Sequence, residues 1–308
     1  MSDGPTSSRR VGRAPAAIHP EVAEALRDGG PVVALETTIV AHGFPPGEGI
    51  EVGRACEAAV RESGAVPATV GMIDGSLRIG LREDELERFG PAARKVGSRE
   101  LGICSARRQI GATTVGGTLT ACRAAGLRFM ATGGLGGVHR GLATRPDISA
   151  DLVELARTPA LVVCSGVKSL LDVDATAELL ETASVPVLGF RTDELPLFYQ
   201  AHGGPAVSER IEQAGEAAAV AAAHWSLGLG SAVVLARPPV TEVEDMDELI
   251  EAALHDAEQA GVSGKAVTPF VLQALHDRSD GRTQAVNRQL AIDNARLAGE
   301  VAVAFASL

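Results

Sequence analysis

ALVVCSGVKSLLD, residues Ala160–Asp172, changes character halfway along. Leu161, Val162 and Val163 form an unbroken apolar run, which reads as a buried strand. The small pair Ser165-Gly166 closes it. Leu170 and Leu171, followed by Leu179 and Leu180, then predict a helix. An amine at the carboxyl end of a buried strand lies where open α/β sheets bind ligands. Desolvated there, Lys168 would have its pKa lowered and could act as a nucleophile. The alternative is a lysine whose stem covers apolar surface while its head reaches water.

The same alternation runs through most of the chain. Strands are expected at Pro31–Thr38, Arg128–Gly134, Pro186–Thr192 and Ala232–Arg237. Ala68–Met72 and Leu77–Leu81 flank Asp74-Gly75, a strong hairpin signal. Helices are expected near Ile50–Ser63, Arg82–Phe89, Glu100–Arg108, Asp147–Arg157 and Ser208–Ser226. Gly111–Gly126 reads as a short strand or loop feeding a helix. Three more helices, Glu242–Ala260, Pro269–Arg278 and Thr283–Phe305, close the chain with no strand between them. Alternation argues for an α/β chain with a mostly parallel or mixed sheet. The hairpin and the closing helices spoil the regularity of an eightfold barrel. A three-layer α/β/α sandwich is therefore expected, with residues 17–308 as one α/β domain and residues 1–16 as a disordered tail.

The 308 residues are 45% hydrophobic but only 3% aromatic, so Ala, Val, Leu and Ile must build the core. A net charge of -11, without a basic run flanked by aromatics, argues against nucleic-acid polymers as partners. Cys56, Cys104, Cys122 and Cys164 are far apart, show no zinc-type spacing, and read as reduced core thiols. No apolar run is long enough to span a bilayer, and the N-terminus lacks the apolar segment of a signal peptide. A soluble cytoplasmic protein is expected.

Two nucleotide-binding signatures fail. Gly134-Leu-Gly136-Gly137-Val-His139 has histidine where the dinucleotide fingerprint needs its third glycine, and Gly264-Lys265 is followed by Ala266 with Gln259 at the Walker glycine position. Five glycines between Gly133 and Gly141 would let backbone amides approach an anion, or would simply make a tight surface turn. Glu36 puts a carboxylate at the end of a buried strand, which suits a general acid of raised pKa or a structural ion pair. Asp147 and Asp151, four apart, would share one helix face and could hold a divalent metal or complement the helix dipole. Ser149-Ala150-Asp151 offers capping oxygens. Lys95 could contact phosphate or be a solvated charge. Asn287 and Asn294 fall on one face of the last helix, where an amide can pair with a nucleobase edge or bond water. His42 and His139 sit in glycine-containing loops and could line a site, without an assigned chemistry.

Taken together, VVALETTIVAHGFP (from Val32), GAVPATVGMIDG (from Gly64), GATTVGGT (from Gly111), ATGGLGGVHRG (from Ala131), DISADLVELA (from Asp147), VVCSGVKSLLD (from Val162) and NRQLAIDNARLA (from Asn287) resemble the pseudouridine-5'-phosphate glycosidase family, also called indigoidine synthase A-like. The resemblance implies reversible cleavage of a C–C glycosidic bond, giving uracil and ribose 5-phosphate, on an α/β/α fold assembled as a homotrimer. It implies an imine-forming Lys168 and a proton-donating Glu36. Lys95 would contact phosphate, with Val115 lining the ligand. Substrate contacts fall on Ser149, Ala150 and Asp151, base reading on Asn287, and an Mn²⁺ ligand on Asp147. Two rival readings are an aldolase-like Schiff-base lyase acting on a sugar phosphate and a non-catalytic sugar-phosphate-binding protein.

Overall fold

The computed structural model describes residues 16–143, 146–262 and 267–308. The expected tail, apart from Ala16, and the Gly264–Ala266 segment lie outside the described residues.

Eleven strands form one mixed sheet. They are β1 (Ala17–Ile18), β2 (Val32–Glu36), β3 (Val66–Ile73), β4 (Ser76–Ile79), β5 (Arg94–Val96), β6 (Gly111–Thr113), β7 (Phe129–Ala131), β9 (Leu161–Cys164), β11 (Val187–Phe190), β12 (Glu209–Ile211) and β13 (Val233–Ala236). Two further strands, β8 (Val138–His139) and β10 (Leu171–Asp172), pair apart from the sheet. The spatial order is β1-β4-β3-β2-β7-β9-β13-β11-β12, with β6 on β3 and β5 on β6. From β2 to β12 every neighbouring pair is parallel. The chain leaves β2 toward β3 on one side and returns to β7 on the other, so the topology reverses at β2. Crevices at the carboxyl ends of such strands are where open α/β sheets bind ligands.

The hairpin forms as its turn residues dictate. Asp74 and Gly75, at φ 50° and 81°, join β3 to β4 in the doubly left-handed turn that matches strand twist. Helix α3 (Glu48–Glu62), α9 (Ala214–Ser226) and the long α12 (Arg282–Ala306) pack together, with α12 on β2, β7 and β9. Helices α5 (Ser98–Ala106), α6 (Val115–Ala125) and α7 (Ala150–Leu155) form another group, with α6 against β2 and β3. Every residue of β2, β9 and β13 is buried, as expected of strands covered on both faces. A core poor in aromatic rings is filled by close approach instead. A Cβ on Gly299 of α12 would stand 1.8 Å from Ser63 Oγ at the end of α3.

Several elements differ from the sequence reading. Thr38–His42 is a short helix, α2, where a polar turn and loop are expected. Helix α7 begins at Ala150, not Asp147, because Ser149 caps it and Ile148 bridges to Val138. The expected helix from Ser208 is first an edge strand, β12, and becomes helical at Ala214. Leu171 belongs to β10, and the helix after Lys168, α8, spans Val173–Thr182 with Asp172 as its cap. The four cysteines are free and buried, as expected. Among the described residues no helix is long and apolar enough to cross a membrane.

Gly166, between β9 and Lys168, has φ +79°, and a Cβ there would lie 1.8 Å from the Pro196 carbonyl oxygen. Gly166→Ala combines left-handed strain with overpacking and is expected to destabilise the fold by about 2–4 kcal/mol. Urea unfolding checks this; a loss under about 0.5 kcal/mol contradicts the rigidity described for this segment.

Candidate active site

The carboxyl ends of β2, β7 and β9 open onto a cavity of about 500 Å³. That size suits a small phosphorylated metabolite. All nine residues singled out for a site, Glu36, Lys95, Val115, Asp147, Ser149, Ala150, Asp151, Lys168 and Asn287, line this one space. They come from six stretches of sequence, so the fold alone brings them together.

Glu36 ends β2 and is 8% exposed. Register pairs Leu35 with Ala131, which sets Glu36 level with Thr132 at the end of β7. The Thr132 hydroxyl donates to Glu36 Oε1. Burial pushes the Glu36 carboxyl above its ordinary range, and the Lys168 ammonium and the Thr132 hydroxyl only partly offset it. A carboxyl so placed holds its proton to higher pH than a solvated glutamate. The sequence reading missed Thr132; strand register supplies the signal, since it pairs the end of LETT with the end of ATGG.

Lys168 is partly buried, on a loop with little freedom. Leu135 N donates to Gly166 O at 2.9 Å and Lys168 N to Leu135 O at 3.2 Å. These bonds carry the β7–β9 pairing past the ends of both strands. Phe198 N donates to Ser165 O at 3.0 Å from the other side. Asn294 Nδ2 donates to Thr132 O at 2.9 Å and to Ser165 Oγ at 3.0 Å, tying α12 to both strand ends. Asn294 is therefore a structural clamp, while Asn287, two turns earlier, faces the cavity with Nδ2 3.5 Å from Gly43 O.

The glycine-rich loop is not a surface turn, and the anion it meets belongs to the protein. Gly136 N donates to Asp151 Oδ2 at 3.1 Å and Gly116 N to Asp151 Oδ1 at 2.8 Å. A Cβ on Gly136 would stand 2.6 Å from that same Oδ2, and one on Gly134 2.5 Å from the Phe198 ring. These glycines let backbone and site side chains share one small volume. Ser149 Oγ accepts from Asp151 N at 3.2 Å, so Ser-Ala-Asp opens α7 as its capping oxygens suggest.

Asp147 and Asp151 do not share a helix face. Asp147 lies in the extended segment before α7, with its side chain 41% exposed and Oδ2 3.9 Å from His139 Nε2. Among the described residues no group of three His, Cys, Asp or Glu side chains converges as a metal cage. One carboxylate beside one imidazole fits a divalent ion that keeps most of its own water, and does not fit a protein-enclosed one.

Lys95, in β5, lines the cavity near the N-terminus of α6, where Thr114 accepts from Gly117 N at 3.3 Å. Arg99, on α5, adds a second cation to the lining and pairs with Glu100 at 2.9 Å. Ile39, Phe198 and Leu272 give the cavity an apolar wall. One space thus combines a lysine, a raised carboxyl, cations suited to phosphate and an apolar wall. That set can support covalent and acid–base chemistry on a phosphorylated ligand.

The family described as indigoidine synthase A like protein matches residues 21–304. A pseudouridine-5'-phosphate glycosidase of Herpetosiphon aurantiacus is 45% identical over 93% of this chain and 97% of its own. One from Caldanaerobacter subterraneus is 45% identical over 92% and 94% respectively. The crystal structure of the prealnumycin C-glycosynthase AlnA in complex with ribulose 5-phosphate superposes with TM-score 0.86 at 38% identity, covering 95% of this chain and 97% of that one. An indigoidine synthase A-like protein from Thermotoga maritima superposes at 0.84 and 39%, covering 94% and 96%.

The raised Glu36 carboxyl has a consequence for stability. The folded protein keeps a proton that the unfolded chain releases around the ordinary value of 4.5. Stability contributed by this group therefore falls as pH rises from there through the folded pKa. Glu36→Gln removes the dependence. Its unfolding midpoint is expected to stay near wild type at pH 4.5 and to gain on it toward pH 8. A difference flat across that range contradicts a raised carboxyl.

Proposed function

The chain belongs to the indigoidine synthase A-like family, and on that premise we propose that it reversibly cleaves the C–C glycosidic bond of pseudouridine 5'-phosphate, giving uracil and ribose 5-phosphate. The observation that carries the reading is the convergence of Lys168 and the raised Glu36 carboxyl in one cavity.

A C-glycoside has no heteroatom leaving group on the base, so protonating an exocyclic oxygen cannot release it. The sugar must instead supply an electron sink at C1'. Lys168 Nζ, in its amine form, bonds to C1' as the C1'–O4' bond breaks, and O4' takes up the proton that the attacking nitrogen sheds, which opens the ring and restores the nitrogen lone pair. Asp151, fixed by two backbone amides, keeps a lone pair on each oxygen for that hydroxyl. Glu36 then delivers its proton to C5 of the base. The electrons of the C1'–C5 bond return to the uracil ring while the lysine nitrogen lone pair forms a C1'=N iminium. Water hydrolyses the imine, frees ribose 5-phosphate and restores the amine. The nearby Lys168 charge and the Thr132 hydroxyl offset part of the burial that raises Glu36.

Lys95 and the N-terminus of α6 around Val115 hold the phosphate, with Ser149 and Ala150 along the sugar. Phosphate binding fixes C1' against the amine, the gain expected from orientation. Asn287 offers a donor and an acceptor side by side for a base edge; a keto-sugar lyase has no use for that pair. Asp147, with His139 beside it, would hold Mn²⁺ through a water-rich shell, and the ion when bound supplies charge near the anionic ligand. Homotrimeric assembly and a cytoplasmic location complete the reading. Ile148 and Val153, 47% and 56% exposed, suit burial against a second copy.

Wild-type protein is expected to release uracil from pseudouridine 5'-phosphate, followed by chromatography. Lys168→Ala should abolish release, and Glu36→Gln should lower kcat by about 10²–10⁴-fold. Undiminished turnover in either variant removes that residue from the mechanism. Mn²⁺ should raise the melting temperature of wild type but not of Asp147→Asn; equal shifts in both contradict the assigned ligand.

A further inference from the structure

We infer that Thr132 is a positioning residue for the acid: by donating to Glu36 Oε1 it places the deliverable proton on Oε2 and stabilises the carboxylate left when that proton departs. This rests on the reaction proposed above.

A neutral carboxyl group has one carbonyl oxygen that accepts and one O–H that donates. The Thr132 hydroxyl donates to Oε1. Oε1 is therefore the carbonyl oxygen of the neutral acid, and the proton lies on Oε2. Thr132 can enforce this because little about it is free to move. It follows β7 directly, is 4% exposed, and has a β-branched side chain that is stiff at χ1. Its backbone N–H donates to Val163 O at 3.0 Å, and its carbonyl accepts from Asn294 Nδ2 at 2.9 Å. Strand β9 and helix α12 thus hold the hydroxyl level with Glu36, and both residues line the cavity.

Proton delivery to C5 creates a charge on a buried carboxylate. Burial opposes that charge, and so does Asp151 on α7. Lys168 after β9 and Lys95 on β5 favour it, while His42 on α2 lines the same cavity. The Thr132 bond differs from these effects in acting on one named oxygen. It becomes charge-assisted as the carboxylate forms and gains strength at that moment. An interaction stronger in the transition state than in the bound substrate raises kcat and leaves KM nearly alone. A threonine that merely filled space would show no such division.

The test reads the Glu36 carbonyl by infrared spectroscopy, as the difference between wild type and Glu36→Gln at a pH where the acid is protonated. Thr132→Val keeps the shape and removes the donor. Against this background the Glu36 band should move to higher wavenumber, as a carbonyl released from a hydrogen bond does, and should titrate away at higher pH. Uracil release should lose about ten- to a hundredfold in kcat. KM should stay within about twofold. Capture of ribose 5-phosphate on Lys168 by borohydride should persist, and Thr132→Ser should restore both the band and kcat. Thr132→Ala, smaller and equally without a donor, carries the same expectations if the valine variant does not fold. An unmoved band overturns the inference, as does a loss in Thr132→Ser equal to that in the donor-free variants, the mark of packing alone. Absence of uracil release by wild type overturns the reaction instead, and the band, recorded without substrate, still decides where the proton lies.

Discussion

A carboxyl group held out of water at the end of β2 constrains the rest of the site. Glu36 is buried where the sheet reverses its topology, and the Lys168 and Lys95 charges and the Thr132 hydroxyl offset its desolvation only in part. Such a placement costs stability unless the carboxyl is paired, hydrogen-bonded or protonated, and groups perturbed in this way cluster at functional sites. Its neighbours come from strands hydrogen-bonded to β2 directly or through β7, or from the hydrogen-bonded loop that follows β9, so register and those loop bonds set their relative positions. That rigidity matters, because covalent attack and proton delivery need sub-ångström placement of their groups.

Glycines and one asparagine extend this rigidity beyond the sheet. The Gly133–Gly137 segment and the Ser165–Lys168 loop continue the β7–β9 pairing, and Asn294 locks both to α12. Backbone amides from Gly116 and Gly136 grip Asp151 from two directions. The amides that looked available to a bound anion are partly committed to a carboxylate of the protein. Lys95, Arg99 and the start of α6 also line the cavity.

Much of the architecture was legible because each signal was local and strong. Asp74-Gly75 between apolar runs fixed a hairpin, and fully apolar four-residue runs marked strands covered on both faces. Elements of two to five residues, β1, β8, β10, β12 and α2, carry too few side chains to show a period. The helix boundary at Asp147 was misplaced because Ser149, two residues on, is the actual cap, and a bridge to Val138 holds the preceding segment extended. The nine site residues could be named from resemblance across separated motifs, whereas Thr132 depends on strand register and the clamping role of Asn294 on its bonds to two strand ends. Those are properties of the folded molecule, absent from any single segment.

Comparison with relatives names a reaction, and the proposed route to it runs through one nucleophilic amine. That amine is open to direct capture. Wild-type protein incubated with ribose 5-phosphate and borohydride, then digested and mapped by mass spectrometry, should carry the reduced sugar phosphate on Lys168 alone. A label on another residue, or none, contradicts the account.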